Sequence, residues 1–283
     1  MATFYNQATL SYSGGIVNSN ITTAELVEVL TATKTAVVEE YSLNSQITYA
    51  INIINSGNVA YSGLTVTDNL GDYTFGATVL QPLDYVDGSV KYFVDGVLQA
   101  TPTVTATSPL TVTGINVPAG GTATVLYTVQ VNSFAPPAQG STIQNTATIS
   151  GGGITPLTVT ETVTAATDPI LSINKSVSPA TVTENGQLTY TFVIQNIGNQ
   201  EAVAGDNVVV TDVFDPALSG VTVTYNGTPW ASPANYTYDE GTGTFQTVAG
   251  AITVPAATYT QNPTTGAWTV DPGVAVITVT GTV

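Results

Sequence analysis

The sequence predicts an all-β fold of two tandem β-sandwiches, and three observations support this prediction. Charged residues make up 8% of the 283 residues, well below the roughly 25% of an ordinary globular domain. Thr, Val, Ser, Asn, Gly and Tyr take their place, a mixture that favours strands and turns. The chain also contains an internal repeat, and short alternating runs are separated throughout by Gly, Pro, Asn and Asp.

The internal repeat divides the chain into two homologous parts. The run 46–58, QITYAINIINSGN, matches the run 187–199, QLTYTFVIQNIGN, and Lys34 matches Lys175 at the same offset of 141 residues. A little further along, the tripeptide Val-Thr-Asp that ends at position 68 has a counterpart that ends at position 212. Self-similarity of this kind predicts two copies of one structural unit.

The two repeats end differently. The first repeat contains the strand-like runs 121–131 and 143–150, whereas the second contains only a counterpart of the former, at 273–283. A copy of the missing run stands at the start of the chain, where 4–11, FYNQATLS, aligns with 143–150, IQNTATIS. We therefore predict that the leading segment supplies the last strand of a second repeat.

Five segments follow from this pattern. In chain order they are a donor strand (1–13), a linker (14–28), a first sandwich (29–150), a second linker (151–169) and a second sandwich that lacks its last strand (170–283).

The donor strand is expected to complete the second sandwich of another copy. Its inward face would consist of Phe4, Asn6, Ala8 and Leu10. An incomplete sandwich exposes a strand edge that invites pairing with another chain, and donor-strand complementation is one form of such pairing. The alternatives are that the segment folds back into its own second sandwich, or that it is a disordered tail.

Three polar residue types recur at inward positions of the predicted strands. Lys34 and Lys175 continue apolar alternations, and so do Asp68 and Asp212, while Asn145 lies between two apolar residues of the last strand. An inward lysine in a sandwich core is costly unless it is paired. The pattern therefore predicts that Lys, Asp and Asn meet in the core.

Such a cluster predicts a spontaneous amide bond between Lys and Asn. Desolvation lowers the pKa of a lysine and raises that of an aspartic acid, a neutral amine is a nucleophile, and a protonated Asp can polarise the Asn carbonyl and shuttle protons. The alternative is a buried ion pair with no covalent bond. Two cross-links are predicted: Lys34 to Asn145 within a chain, assisted by Asp68, and Lys175 to Asn6 between chains, assisted by Asp212.

The order of these motifs resembles that of known families. Lys, Tyr-x-Ile/Val-x-x-x-Asn-x-Gly, Val-Thr-Asp and Asn-Thr-Ala-Thr resemble a conserved repeat domain of unknown function in bacterial and archaeal surface proteins. The order Lys, Asp, Asn is similar to that of isopeptide-forming domains in Gram-positive pilins and collagen adhesins. The resemblance implies immunoglobulin-like sandwiches, an extracellular location and a structural or adhesive role. Because the chain has no sorting motif, membrane anchor or leader, we expect self-assembly.

The composition argues against several other functions. The net charge is −16 and the chain contains neither Arg nor His, so we expect no nucleic-acid binding and no docking on anionic lipid. No apolar run is long enough to span a membrane, no cysteine is present, and the N-terminus does not resemble a signal peptide. We expect no enzyme active site, no cofactor and no metal site, although calcium at a domain junction remained an alternative.

These observations favour a structural subunit of a fibre at a cell or spore surface, with another copy of the same chain as its partner. An anchor or tip protein and the export route are left open. The alternative is a monomeric surface adhesin or S-layer-type module that binds glycan or protein. It rests on aromatic residues in a Gly/Pro/Asn-rich region: Tyr225, Trp230, Tyr236, Tyr238 and Trp268.

Overall fold

A computed structural model describes residues 2–26 and 28–283, and this part of the chain has the predicted all-β fold. Met1 and Val27, which belong to the predicted donor strand and first linker, lie outside the described residues. The only helix in the described part is a single 3-10 turn, Ala204–Asp206. No helix among these residues is both long and apolar enough to cross a membrane.

The N-terminal hairpin, residues 2–26, comes first. Its strands are β1 (Ala2–Asn6), β2 (Thr9–Tyr12), β3 (Gly15–Asn18) and β4 (Thr22–Leu26). β1 pairs antiparallel with β4, and β2 pairs antiparallel with β3, so the chain folds back on itself at the turn 13–14. The segment 14–28, predicted as a linker, therefore contains the returning half of a hairpin.

Unit one, residues 30–165, is a sandwich of two sheets. Its strands are β5 (Leu30–Ala36), β6 (Glu40–Tyr41), β7 (Gln46–Asn55), β8 (Tyr61–Asp68), β9 (Tyr73–Phe75), β10 (Thr78–Leu80), β11 (Leu83–Tyr85), β12 (Lys91–Val94), β13 (Val97–Leu98), β14 (Thr103–Thr107), β15 (Leu110–Val117), β16 (Thr122–Val131), β17 (Thr142–Ser150) and β18 (Leu157–Ala165). One sheet has the order β13-β12-β16-β7-β5, and the other has the order β14-β15-β8-β17-β18-β6. The segment 151–169, predicted as a linker, contains β18.

Alternation along the central strands forms the core of unit one. In β7 the residues Ile47, Tyr49, Ile51 and Ile53 are all fully buried, and β16 buries every second residue in the same way. Successive side chains of a strand point to opposite faces, which explains why this pattern forms one packed face. Threonines occupy much of the outer face, which suits β-branched side chains.

Unit two, residues 171–283, repeats one sheet of unit one and part of the other. Its strands are β19 (Leu171–Ser178), β20 (Gln187–Asn196), β21 (Thr211–Val213), β22 (Ser219–Tyr225), β23 (Thr228–Trp230), β24 (Tyr236–Asp239), β25 (Thr244–Thr247), β26 (Thr258–Gln261), β27 (Trp268–Asp271) and β28 (Gly273–Thr282). The order β19-β20-β28-β22-β23 reproduces β5-β7-β16-β12-β13 strand for strand. A three-stranded sheet, β21-β25-β24, faces it.

This second sheet of unit two stops where that of unit one continues. The order β24-β25-β21 corresponds to β14-β15-β8, because β21 carries the Val-Thr-Asp motif that β8 carries. Beyond β8, unit one adds β17, β18 and β6, whereas β21 pairs only with β25 among the described residues. Unit two therefore has a free sheet edge where unit one has a closed one.

A buried asparagine anchors the same corner in both units. The side chain of Asn55 donates to the carbonyls of Val59 and Pro118, and it accepts from the Gly57 N–H. The side chain of Asn196 repeats this arrangement one unit later. The Asn-x-Gly motif of the repeat is thus explained by buried backbone groups that need partners.

The two units are in direct contact near a Pro-rich loop of unit one. Asn199 donates its side-chain amide to the carbonyl of Pro137 over 3.0 Å. The backbone N–H of Trp268, at the start of β27, donates to the carbonyl of Ser133 over 2.7 Å. Hydrogen bonds from two separate parts of unit two therefore attach it to this loop.

Candidate cross-linking sites in the two units

Unit one brings Lys34, Asp68 and Asn145 into its core, from three different strands. Lys34 lies on β5, Asp68 ends β8, Asn145 lies on β17, and all three are buried. The Lys34 Nζ lies 2.5 Å from the Asp68 Oδ2. Burial of a charge is tolerated when it is paired and hydrogen-bonded, which explains why β5 and β8 carry these residues at facing positions.

The Asp68 carboxylate accepts two further hydrogen bonds. The Tyr127 hydroxyl donates to Oδ2 over 2.5 Å, and the Leu70 backbone N–H donates to Oδ1 over 2.9 Å. Sequence analysis did not identify Tyr127, although its place facing Tyr49 on neighbouring strands is a consequence of the strand register. Together the three donors fix the orientation of the carboxylate beside the lysine.

Within the described part of the chain, the side-chain amide of Asn145 has a hydrogen-bond partner at its oxygen but not at its nitrogen. Its Oδ1 accepts the backbone N–H of Gly71 over 3.1 Å, so the donor to this carbonyl is Gly71 rather than the aspartic acid that we expected. Its Nδ2 lies near the hydroxyls of Tyr49 and Tyr127 but makes no hydrogen bond of normal geometry among the described residues. A polarised carbonyl with a weakly held amino group suits attack by an amine.

Gly71 is required by the backbone at this site. Its φ of +71° is a left-handed conformation that favours glycine, and a Cβ added there would lie 2.6 Å from the side chain of Ile143. No residue-type signal in the sequence assigns its N–H to Asn145, because the contact depends on how the turn after β8 folds over β17.

The electrostatics of unit one make the neutral form of Lys34 more accessible than that of an exposed lysine. Burial lowers the pKa of Lys34 from 10.5 to about 8, against the attraction of Asp68, which raises it. The ammonium lies 4.7 Å from the centre of the Tyr49 ring. Burial, and to a smaller extent Asp68, also raises the pKa of Tyr127, so its hydroxyl keeps its proton as a donor.

Unit two contains the matching Lys175–Asp212 ion pair in a more exposed setting. The side chains of Lys175 and Asp212 are 39% and 19% exposed, whereas those of Lys34 and Asp68 are fully buried. The ammonium of Lys175 lies 4.6 Å from the centre of the Tyr190 ring and 5.2 Å from that of Phe214. Aromatic rings thus partly replace the cover that unit one provides.

Two elements of the unit-one site have no equivalent in unit two. The residue that faces Tyr190 across the sheet is Val279, at the position of Tyr127 in unit one. Among the described residues, no strand of unit two lies where β17 carries Asn145, and the predicted partner Asn6 of the same chain is not brought to Lys175. Within one copy, the structure therefore assembles the complete Lys–Asp–Asn set only in unit one.

The inward face of β19 is open to solvent. Leu171, Ile173 and Val177 are 37%, 55% and 41% exposed. The corresponding first residue of β5, Leu30, is 7% exposed, since β18 packs against β5 in unit one. The apolar face that unit one buries is therefore uncovered in unit two.

The predicted donor residues lie in the exposed N-terminal hairpin. Phe4 and Leu10 are 56% and 66% exposed, and Asn6 and Ala8 are also exposed. Strands β1 to β4 pair only with one another among the described residues. The hairpin thus occupies no groove of its own chain, contrary to the fold-back alternative, and it has regular pairing, contrary to the disordered-tail alternative.

The aromatic residues considered for glycan binding mainly pack within unit two. Tyr225 and Trp230 stack at 4.8 Å, and the Tyr225 hydroxyl donates to the carbonyl of Thr253. Tyr236 is buried, and the Tyr238 hydroxyl donates to the carbonyl of Leu218. Trp268 is only partly exposed. Among the described residues, these side chains form no exposed aromatic surface.

The third lysine lies outside both cross-linking sites. Within the ranges 2–26 and 28–283, no group of three or more Asp or Glu side chains is arranged to hold a metal ion. Lys91 is exposed at the start of β12.

No family model and no curated protein matches the chain, but several solved structures are similar to it. The pilus backbone of Streptococcus pneumoniae is 12% identical with a TM-score of 0.36, and the match covers 86% of this chain but only 55% of the pneumococcal one. The major pilin subunit of Bacillus cereus is 16% identical with a TM-score of 0.36, covering 96% and 73%. The collagen-binding domain of a Staphylococcus aureus adhesin is 11% identical with a TM-score of 0.31, covering 50% and 99%. The structural neighbours of the chain thus include Gram-positive pilins and collagen-binding adhesin domains, the two classes that its sequence resembles.

Proposed function

We propose that the chain is a structural subunit of an extracellular fibre, in which the N-terminal segment of one copy completes unit two of the next. The observation that carries the proposal is the difference between the two units. In unit one β18 packs against the β5 face, whereas the matching β19 face of unit two is exposed. A segment that aligns with β17 is exposed at the N-terminus of the same chain.

Unit one supplies the pairing register for the docked strand. In unit one, Ala147 of β17 faces Asp68 of β8, and Ile149 faces Val66. Applied to unit two, the same register places Ala8 of the incoming copy opposite Asp212 and Leu10 opposite Val210. Asn6 then takes the position of Asn145, next to the Lys175–Asp212 pair.

Burial of the donor side chains favours docking. Phe4 and Leu10 are mostly exposed in the free chain, and burial of each contributes roughly 1.5–3 kcal/mol before ordering costs. Strand pairing adds backbone hydrogen bonds along the β21 edge. Because donor and acceptor are different surfaces of one chain, the contact does not close on itself and generates an open filament.

The proposed cross-link in unit one uses the Lys34–Asp68 pair and Asn145, all three of which are buried. Lys34 reacts as the neutral amine, and its Nζ attacks the Cγ of Asn145. As the Nζ–Cγ bond forms, the Asp68 carboxylate takes one proton from Nζ and passes it to Nδ2. The Cγ–Nδ2 bond then breaks, ammonia leaves, and the carboxylate is restored. The Gly71 N–H stabilises the oxygen of the tetrahedral intermediate. No oxidant is consumed.

The same reaction in unit two joins neighbouring copies. Lys175 attacks Asn6 of the incoming chain, Asp212 carries the proton, and ammonia leaves. Docking of the incoming chain covers the exposed Lys175 and supplies the missing amide in one step. The fibre then becomes covalent along its length.

Intact mass after boiling in denaturant tests the proposal. We expect a ladder of covalent multimers in which each subunit has lost one ammonia for the bond in unit one, and each junction one more. Lys175→Ala and Asn6→Ala abolish the ladder. The matched controls Lys91→Ala and Asn18→Ala, an exposed asparagine of the same hairpin, retain it.

Two results would contradict parts of this proposal. Monomers of unreduced mass under all assembly conditions would rule out both covalent bonds. Chains that stay monomeric at high concentration before denaturation would rule out strand exchange itself.

A further inference from the structure

In unit one, β17, which was predicted to be the last strand of the sandwich, is paired on both sides. β17 pairs antiparallel with β8 on one side and with β18 on the other. β18 in turn pairs in parallel with β6, where Thr164 faces Glu40 and Ala165 faces Tyr41. The part of unit one that closes its second sheet is therefore a two-stranded hairpin.

The N-terminal hairpin has the same register as this pair of strands. Ile143 of β17 faces Val163 of β18, and Phe4 of β1 faces Ala24 of β4. Both positions of the second pair precede those of the first by the same number of residues, 139. β1 and β4 thus correspond to β17 and β18 as a paired unit, and not only as one strand.

Unit two has unfilled positions for both strands. In the part of the chain that the structure describes, neither β17 nor β18 has a counterpart beyond β21, and residues 181–182, which correspond to β6, form no strand. Tyr41 of β6 is 3% exposed, whereas its counterpart Val182 is 38% exposed. The uncovered surface therefore extends past the place of a single strand.

The connection to the following unit also fits a docked hairpin. Inside the chain, five residues, 166–170, join the end of β18 to β19. At the N-terminus, three residues, 27–29, join the end of β4 to β5. If only the first strand docked, residues 13–29 would form a long connecting segment that spans tens of ångströms when extended. A docked hairpin instead repeats the short connection that already joins the two units.

We propose that the whole N-terminal hairpin docks, with β4 as well as β1 and β2 entering unit two of the next copy. This inference rests on the proposed function and specifies its partner surface. Glu25 and Leu26 pair in parallel with Thr181 and Val182, in the arrangement that β18 and β6 have in unit one. Junctions between copies are then equivalent to the junction inside each copy, with a connection two residues shorter.

Engineered cysteine pairs distinguish docking of one strand from docking of two. The chain has no cysteine, so each introduced pair is unique. Thr9→Cys with Thr211→Cys reports the first strand, since its unit-one counterpart is the facing pair Thr148 and Thr67. Glu25→Cys with Thr181→Cys reports the second strand. Facing residues of neighbouring strands lie within the Cα separation that a disulfide tolerates.

The measurement is loss of free thiols after mild oxidation of assembled full-length protein. Linked peptides are identified by mass with and without reduction, and mixing of ¹⁵N-labelled with unlabelled chains shows whether the bond joins two copies. The mismatched pair Glu25→Cys with Thr211→Cys controls for random collision. Circular dichroism of each variant before oxidation checks that it is folded.

We expect near-complete loss of thiols and interchain linkage for both matched pairs, and little for the mismatched pair. If the Thr9–Thr211 pair links while the Glu25–Thr181 pair keeps its thiols, hairpin docking is wrong and single-strand exchange stands. If neither pair links between copies, the proposed fibre contact is itself wrong.

Discussion

Refolding at different pH values tests the role that burial gives to Lys34. Its pKa is lowered from 10.5 to about 8, and the reaction needs the neutral amine. At pH 7 a group with a pKa of 8 is about 10% neutral, whereas one with a pKa of 10.5 is about 0.03% neutral, a difference of about 300-fold. The rate of amide formation should therefore rise about tenfold per pH unit below pH 8 and level off above it.

The assay uses chains purified in denaturant before they have reacted, on an Asn6→Ala background that removes the reaction between copies. Dilution into buffers from pH 6 to 10 starts folding, acid stops the reaction, and the loss of one ammonia is followed by mass. Tryptophan fluorescence monitors folding separately. Lys34→Ala, which cannot form the amide, is the control that should lose no ammonia. A rate that continues to climb tenfold per unit up to pH 10 would show that Lys34 keeps an ordinary pKa, and the desolvation argument would then be wrong.

Three further predictions concern stability and assembly. In Asn145→Ala, Lys34 stays a free amine whose pKa is lower in the folded than in the unfolded chain, so the unfolded chain binds more protons between about pH 8 and 10. The free energy of unfolding, measured by denaturant titration, should therefore rise across that window by up to roughly 3 kcal/mol. The control variant Lys34→Met/Asn145→Ala should show no such rise. Ile173→Ser should change the free energy of unfolding of the monomer by less than about 0.5 kcal/mol, because the side chain is 55% exposed. Light scattering should nevertheless show that this variant no longer forms fibres. Ser172→Ala, on the opposite face of β19, should form fibres normally. Tyr127→Phe removes a buried hydrogen bond to Asp68 worth about 1–3 kcal/mol, so mass spectrometry at successive times should show slower amide formation. The control Tyr85→Phe removes a hydroxyl that has no partner among the described residues and should react at the wild-type rate.

Much of the fold could be predicted from the repeat. Alternation in runs such as 46–55 specifies strands with one buried face, and the 141-residue offset specifies two units of the same kind. The meeting of Lys34 with Asp68 also followed from alternation, because an inward lysine requires an inward acid. The structure confirms the all-β architecture. It places the Lys34 Nζ 2.5 Å from the Asp68 Oδ2 in the core.

Both predicted linkers contain a glycine turn and the returning strand of a hairpin. Gly152 and Gly153 lie between β17 and β18, and Gly14 lies in the turn between the two halves of the N-terminal hairpin. A tight glycine turn between two alternating runs is a hairpin signal, and the run 157–165 alternates clearly. The contacts of Gly71 and Tyr127 with the site depend on tertiary packing, which no local pattern in the sequence encodes.

The places where the chain enters and leaves unit one determine how that unit would respond to tension. The chain arrives at β5 and departs from β18, and Lys34 and Asn145 lie on β5 and β17, close to these two points. With the proposed amide in place, a pulling force would pass from β5 directly to β17 and on to β18. Everything between Lys34 and Asn145 would be bypassed, so this part of unit one could not unravel and lengthen under stress.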